Sequence, residues 1–105
     1  MQIPKTLKIG NHIYRIEYPF KFDDNNHCGE TAYQQKEIRI TKRDPASGRD
    51  AAESHIEETL WHEIVHCIDC EYNDSSLKEI EVKMLAKGLY QVLMDNFEIK
   101  LKKEK

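Results

Sequence analysis

The hydrophobic periodicity changes near residue 50, and this change limits the folds open to the chain. Before it, apolar and polar residues alternate in short runs, and Gly10-Asn11 separates two of these runs. Alternation is typical of half-buried strands, and Gly-Asn between two such runs favours a hairpin. After residue 50, apolar residues recur three and four positions apart, which is the period of a helix packed on one face. The sequence therefore predicts an α+β fold with a small β-sheet followed by two helices.

The β-rich part over 1–48 is predicted to contain two hairpins. The first joins residues 7–9 to residues 12–18, where Tyr14 and Ile16 share one face and Pro19 ends the run. The second joins residues 31–33 to residues 37–41 through a short polar turn, after a polar loop over 23–30. The sheet is expected to be antiparallel or mixed.

Two helices are predicted, over 50–70 and 76–98. Asp50 and Glu53 resemble a capping box for the first helix, and the polar break over 73–76 is expected to supply the N-cap of the second. A charged tail over 99–105 is expected to fray. The first helix carries an apolar stripe that is expected to pack against the sheet: Ile56, Leu60, Ile64, Cys67 and Ile68.

Length and charge exclude several classes of protein. The chain has 105 residues, which predicts a single domain, and its net charge of 16 − 19 = −3 argues against direct contact with nucleic acid. No apolar run approaches the ~20 residues of a transmembrane helix, and the N-terminus lacks the apolar core of a signal peptide. Three cysteines cannot all pair with one another. We therefore expect a cytoplasmic domain without membrane contact.

One strong motif lies on the first helix. The stretch from His62 to His66 reads H-E-x-x-H, which places two imidazoles one helical turn apart on one face, opposite the apolar stripe. Neutral imidazoles are good Zn²⁺ ligands, and Glu63 would stand beside the metal as general base. The alternative is an ordinary solvated polar face. In so short a chain the motif favours a zinc site.

A catalytic zinc needs a third protein ligand. Asp69 and Tyr72 stand where the metzincin continuation requires glycine and histidine, so that class is excluded. The next helix offers Glu79 and Glu81, and periodicity cannot choose between them, since acidic residues are also favoured in a first helical turn. Cys70 is a weaker alternative ligand, which would make a closed structural zinc site.

Two further residues near the end of the metal helix have ambiguous roles. Asp69 is expected to cap the helix end, to pair with a neighbour, or to support a ligating histidine from outside the ligand set. Cys67 points toward the core, and we expect it and Cys70 to be inert packing residues.

The residues over 58–69 resemble the active-site helix of small zincin-like metallopeptidases of phages and mobile elements, akin to the ImmA/IrrE metallopeptidases and more distantly to SprT-like proteins. The stretch over 79–86 resembles their second motif, and the stretch over 88–96 resembles the end of their helix. This resemblance implies a zincin-like minimal fold, Zn²⁺ as cofactor and Glu79 as third ligand. Lys83 stands where the family often has Asn or Asp, so Glu81 stays open as the alternative.

The expected function is a zinc-dependent metallopeptidase of phage or prophage origin, with His62, His66 and Glu79 as metal ligands and Glu63 as the catalytic base. Its partner would be a protein or peptide substrate, such as one dedicated regulatory protein. The resemblance also implies an edge strand beside the active-site helix where a substrate adds as an extra strand, and residues 37–41 are the candidate. Ordinary pairing within the sheet is the alternative for that strand. The alternative function is a metal-binding regulatory or interaction module without peptidase activity.

Overall fold

The protein is an α+β domain in which a four-stranded mixed sheet precedes two helices. The computed structural model describes residues 1–24 and 26–102, so part of the polar loop and the end of the predicted charged tail lie outside the described residues. The elements in chain order are β1 (Thr6–Ile9), β2 (His12–Glu17), β3 (Gly29–Ala32), β4 (Glu37–Ile40), α1 (Glu53–Tyr72) and α2 (Glu79–Asn96). The predicted order of elements is confirmed.

The strands are arranged in the order β1-β2-β4-β3. Both predicted hairpins form, since β1 pairs with β2 and β3 pairs with β4 in antiparallel registers. The hairpins join through β2 and β4, which run parallel, so the sheet is mixed. The prediction that residues 37–41 form the edge strand is wrong. Ile38 of β4 is opposite Ile16 on one side and Thr31 on the other, and the edge beside β4 is β3.

The core lies between one face of the sheet and α1. Tyr14 and Ile16 are buried while their neighbours in β2 are exposed, as the alternation predicts. Four of the five residues in the predicted apolar stripe of α1 are buried against the sheet. The fifth, Ile68, is 43% exposed because it faces a shallow depression between α1 and α2 instead of the sheet.

The helices begin later than the sequence predicts. Asp50 does not cap α1: its backbone forms a bridge with Arg43, and the N-cap of α1 is Ala52, without a side-chain hydrogen bond. The α2 helix begins at Glu79, with Lys78 as N-cap, so the polar break over 73–76 does not supply its cap. Both predicted starts are wrong because Asp50 is held in the bridge with Arg43, and backbone hydrogen bonds to Asp69 and Asn73 hold residues 73–76 in a turn.

The second helix packs along α1. Val82 and Ala86 are its buried residues, and they pack with Val65 of α1 in a second small core. Among the described residues, no helix is both long and apolar enough to cross a membrane.

Candidate metal centre

The structure brings His62, His66 and Glu79 together at the junction of the two helices. The Nε2 atoms of His62 and His66 lie 2.7 and 2.8 Å from the two carboxylate oxygens of Glu79. The two imidazole rings are one turn apart on α1, with centroids 4.9 Å apart. One ligand atom from each of the three residues falls within 4.8 Å of the others, so the group can hold a metal ion.

Glu79 reaches the histidines because the connection between the helices is fixed by Asp69. The buried Asp69 carboxylate accepts hydrogen bonds from the Leu77 backbone N–H, at 3.3 Å to each oxygen, and from Asn73 Nδ2 at 3.0 Å. Its carbonyl accepts from the N–H groups of Asn73 and Ser75. These bonds turn the chain back along α1, so that the first residue of α2 faces the imidazoles. Of the three roles predicted for Asp69, the structure shows capping of the C-terminal end of α1.

The other two candidate ligands lie apart from this group. The Glu81 carboxylate accepts a hydrogen bond of 2.8 Å from the Lys78 backbone N–H, which is the half of a capping box that a glutamate supplies. A lysine side chain cannot accept a hydrogen bond, so no reciprocal bond completes the box. Cys70 is half-buried with a free thiol and does not join the metal-binding group within the described residues.

Glu63 lies beside the three residues and is buried. Thr31 of β3 donates a hydrogen bond of 2.8 Å from its hydroxyl to Glu63 Oε1. Burial raises the pKa of Glu63 above its ordinary value, while the Thr31 bond and the two histidines act in the opposite direction. The carboxylate is thus oriented by the sheet and sits in partly dry surroundings beside the histidine pair.

Strand β3 approaches α1 closely at this point, and the approach depends on Gly29. A Cβ atom at Gly29 would lie 2.8 Å from Thr59 Cγ2 and 3.4 Å from Glu63 Cγ, so a side chain there would push the strand away. Neither Gly29 nor Thr31 is among the site residues predicted from the sequence. The signal was their spacing: residues two apart on a strand share one face, and a glycine within a strand often marks a close approach.

An open groove of about 480 Å³ runs past His62 and Glu79, lined by both helices and by the segment leading into β3. His27 of that segment shares the groove with His62, Glu63 and Glu79. The Asp24 carboxylate lies 2.8 Å from His27 Nδ1 and raises the pKa of the imidazole, and the Phe22 ring stacks on it at 5.4 Å. His27 is a further groove residue that the sequence analysis did not single out, although its Asp-x-x-His spacing is a local signal for such a pair.

The donor set fits a divalent transition metal. Two imidazole nitrogens and one carboxylate form one of the three-residue sets found around catalytic zinc, in which a fourth position holds water or substrate. His62 and Glu79 also line the groove, so a bound ion would be reached from it. Because zinc ligands of this kind bind at about 2.0–2.2 Å, the three atoms would need only small shifts to surround one ion.

No protein-family model, curated protein or solved structure matches this chain.

Proposed function

We propose that the protein is a zinc-dependent metallopeptidase of the gluzincin type with a zincin-like fold. The observation that carries this proposal is the contact of Glu79 with both histidines of the H-E-x-x-H motif: its carboxylate oxygens lie 2.7 and 2.8 Å from the Nε2 atoms of His62 and His66. The buried Glu63, oriented by Thr31, lies beside them. A glutamate thirteen residues beyond the second histidine has no need to lie there for helix packing alone. The resemblance to ImmA/IrrE metallopeptidases supports the same function.

In this proposal, the metal site and Glu63 divide the chemistry. A bound zinc ion would polarise the scissile carbonyl and make an attacking water more acidic. Glu63 accepts a proton from that water and passes it to the leaving amine. Thr31 keeps the Glu63 carboxylate in place during both transfers, since its hydroxyl bonds to one carboxylate oxygen and leaves the other available.

We assign the binding of an extended substrate to the outer edge of β3. Strand β3 is paired on one side with β4, and its Gly29 and Thr31 contact the residues of α1 that flank the site. An extended peptide added to that edge would run past the histidine pair. The imidazole of His27 lies in the same groove, and its Nδ1 is bonded to Asp24. In its protonated form, His27 can donate from Nε2 to the oxygen that becomes negative when the peptide carbonyl is attacked.

The experiment compares zinc-loaded wild type with Glu63→Gln on a peptide library made from bacterial proteins, with mass spectrometry of the cleavage products. We expect wild type to generate new termini and Glu63→Gln to lose at least about 100-fold of the rate, because proton transfer typically contributes 10²–10⁴-fold. Zinc content should be the same in both.

The alternative function, a metal-binding regulatory or interaction module, makes the opposite prediction. If zinc-loaded wild type produces no more new termini than Glu63→Gln does, the peptidase proposal fails, and zinc retained without cleavage favours the binding module. If neither protein retains zinc after dialysis, both the enzyme and the module fail.

A further inference from the structure

A second cavity, of about 280 Å³, lies at the end of the sheet where the parallel strands β2 and β4 both end. Backbone pairing continues past both strands: the Phe20 N–H donates to the Ile40 carbonyl, and the Thr41 N–H donates to the Cys28 carbonyl. Residues that follow the two strands therefore line this cavity, which we call the strand-end pocket: Phe20, Lys21, Phe22, Lys42, Arg43 and Pro45.

A row of three aromatic rings connects the strand-end pocket with the groove at the candidate metal centre. The centroids of the Phe20 and Phe22 rings are 4.9 Å apart, and the Phe22 ring stacks on the His27 imidazole at 5.4 Å. His27 lines both the strand-end pocket and the groove that contains His62. The two cavities are thus neighbours, and a peptide lying in the groove reaches the strand-end pocket at His27.

The charges that line the strand-end pocket are unbalanced in favour of cations. Each of its two carboxylates has a basic partner, 2.8 and 3.8 Å away: Asp24 with His27 and Asp50 with Lys42. Lys21 and Arg43 remain, and within residues 1–24 and 26–102 no carboxylate oxygen lies within 4 Å of either cation. Unpaired cations at a cavity attract an anionic group, and the planar guanidinium of Arg43 matches the geometry of a carboxylate.

The walls of the pocket also require an apolar part in the group that binds there. The Phe20 and Phe22 side chains are half-buried, and Pro45 adds a third apolar surface. A small free anion such as phosphate would leave these surfaces in contact with water. A carboxylate on a short methylene stem would cover them, and covering apolar surface is favourable. Glutamate has this chemistry, with one methylene more than aspartate.

We propose that the strand-end pocket is a specificity subsite that binds a glutamate side chain of the peptide substrate, with the carboxylate of that glutamate at Lys21 and Arg43. The subsite rests on the proposed function, because the peptide and its course along the outer edge of β3 come from there. Binding of the glutamate itself depends only on the residues of the pocket, so it can be measured without cleavage.

The spacing along the chain sets the position of this glutamate in the substrate. Gly29 and Thr31 lie next to Glu63, and His27 comes two residues before Gly29 and four before Thr31. A peptide paired along β3 rises about 3.3 Å per residue, as the strand itself does. The glutamate therefore belongs two to four residues from the cleaved bond.

Binding is tested with the full chain carrying Glu63→Gln, in the presence of zinc, and with the capped peptide acetyl-Ala-Ala-Glu-Ala-Ala-amide. In a titration followed by NMR, the backbone amides of Phe22, Lys42 and Arg43 should shift. Replacing the glutamate of the peptide by glutamine should weaken binding about tenfold, because hydrogen bonds to charged groups are the stronger ones. Replacing it by aspartate should weaken binding about fourfold, because one buried methylene is lost.

Three charge reversals in the protein locate the site. Arg43→Glu and Lys21→Glu should each weaken binding of the glutamate peptide at least tenfold, and both residues are exposed, so neither change disturbs the core. Lys8→Glu is the matched control: it reverses an exposed charge on β1, the edge strand opposite β3, and should leave binding unchanged. With Glu63 intact, Arg43→Glu should also exchange the glutamate preference among library cleavage products for lysine or arginine.

Equal binding of the glutamate and glutamine peptides would overturn the subsite, as would equal effects of Arg43→Glu and Lys8→Glu. Inorganic phosphate that shifts the same amides at lower concentration than the glutamate peptide would also overturn it, as would cleavage products without glutamate two to four residues from the cleaved bond. If no peptide is cleaved while the glutamate peptide still binds selectively, the proposed function fails and the glutamate pocket stands, so the two can fail separately.

Discussion

Glu79 and Glu81 are two residues apart in the same first helical turn, yet their carboxylates do different things. Glu81 accepts the N–H of Lys78 and closes the helix end, whereas Glu79 faces the imidazoles of α1. Residues two positions apart on a helix point in different directions, so only one of them can face α1. Val82 and Ala86 pack against α1, and this packing turns Glu79, not Glu81, toward the histidines. Glu79 is therefore assigned as the third candidate ligand.

The two glutamates give a matched pair of variants. We expect Glu79→Gln to weaken zinc binding by more than about 100-fold, since even residues outside the ligand set contribute 10–100-fold. Glu81→Gln keeps a side-chain oxygen for the Lys78 N–H and should bind zinc as wild type does. Competition with a chromogenic chelator measures both. Equal affinities for Glu79→Gln and wild type would remove Glu79 from the metal site.

At the scale of elements, the C-terminal end of α1 is joined to the sheet by Glu71. The Tyr14 hydroxyl donates to Glu71 Oε1 at 2.6 Å, and Lys36 Nζ lies 3.0 Å from the same oxygen. A negative carboxylate near the C-terminus of a helix is repelled by the negative end of the helix dipole. The hydrogen bonds from Tyr14 and Lys36 offset this repulsion. Gly10, in the first hairpin turn with φ of 64°, leaves room for the Glu71 side chain.

This contact makes stability depend on pH. The hydrogen bonds from Tyr14 and Lys36 hold the pKa of Glu71 below its ordinary value of 4.5. Because the folded pKa is the lower one, the contribution is complete above the unfolded pKa and is lost as pH falls through the folded pKa. Urea unfolding should show Glu71→Gln less stable than wild type at pH 7, with the difference shrinking below about pH 4. A difference that stays constant to pH 3 would contradict this role of Glu71.

The sequence predicts the elements well and their boundaries less well. Alternation in β2 and the stripe from Ile56 to Cys67 are local patterns, and the structure buries the residues that they single out. The parallel pairing of β2 with β4 could not be predicted, because it joins strands from different hairpins and no turn specifies it. The late start of α2 depends on Asp69 bonding to Leu77, a contact between residues eight apart that periodicity does not encode.

Part of the candidate site can likewise be predicted from local sequence, and part depends on contacts between distant segments. The spacing of His62, Glu63 and His66 on one helix is local, so the motif could be recognised at once. The orientation of Glu63 by Thr31 and the placement of His27 in the groove bring distant segments together, and only the three-dimensional arrangement reveals them.

At the scale of the whole molecule, a metal ion would join α1 to α2. We expect zinc at 1,000 times its dissociation constant to raise the free energy of unfolding by about 4 kcal/mol. For a domain of this size, that corresponds to a rise in Tm of roughly 15 °C or more. Differential scanning calorimetry with zinc and with EDTA measures it. The double variant His62→Ala/His66→Ala should show no rise, and an equal rise in that variant would place the stabilising metal elsewhere.

The position of Glu79 at the start of α2 has a consequence for the lifetime of the protein. Val82 and Ala86 are the buried side chains of this helix, Tyr90 donates a hydrogen bond of 3.0 Å to the buried Glu57 of α1, and Glu79 meets the two histidines. If zinc binds there as proposed, its loss removes one tie between the helices, so α2 should then open more readily, and an opened helix is a substrate for cellular proteases. On the proposed zinc site, the abundance of this protein should follow the zinc supply of the cell, so that starvation for the metal clears the protein instead of storing it inactive.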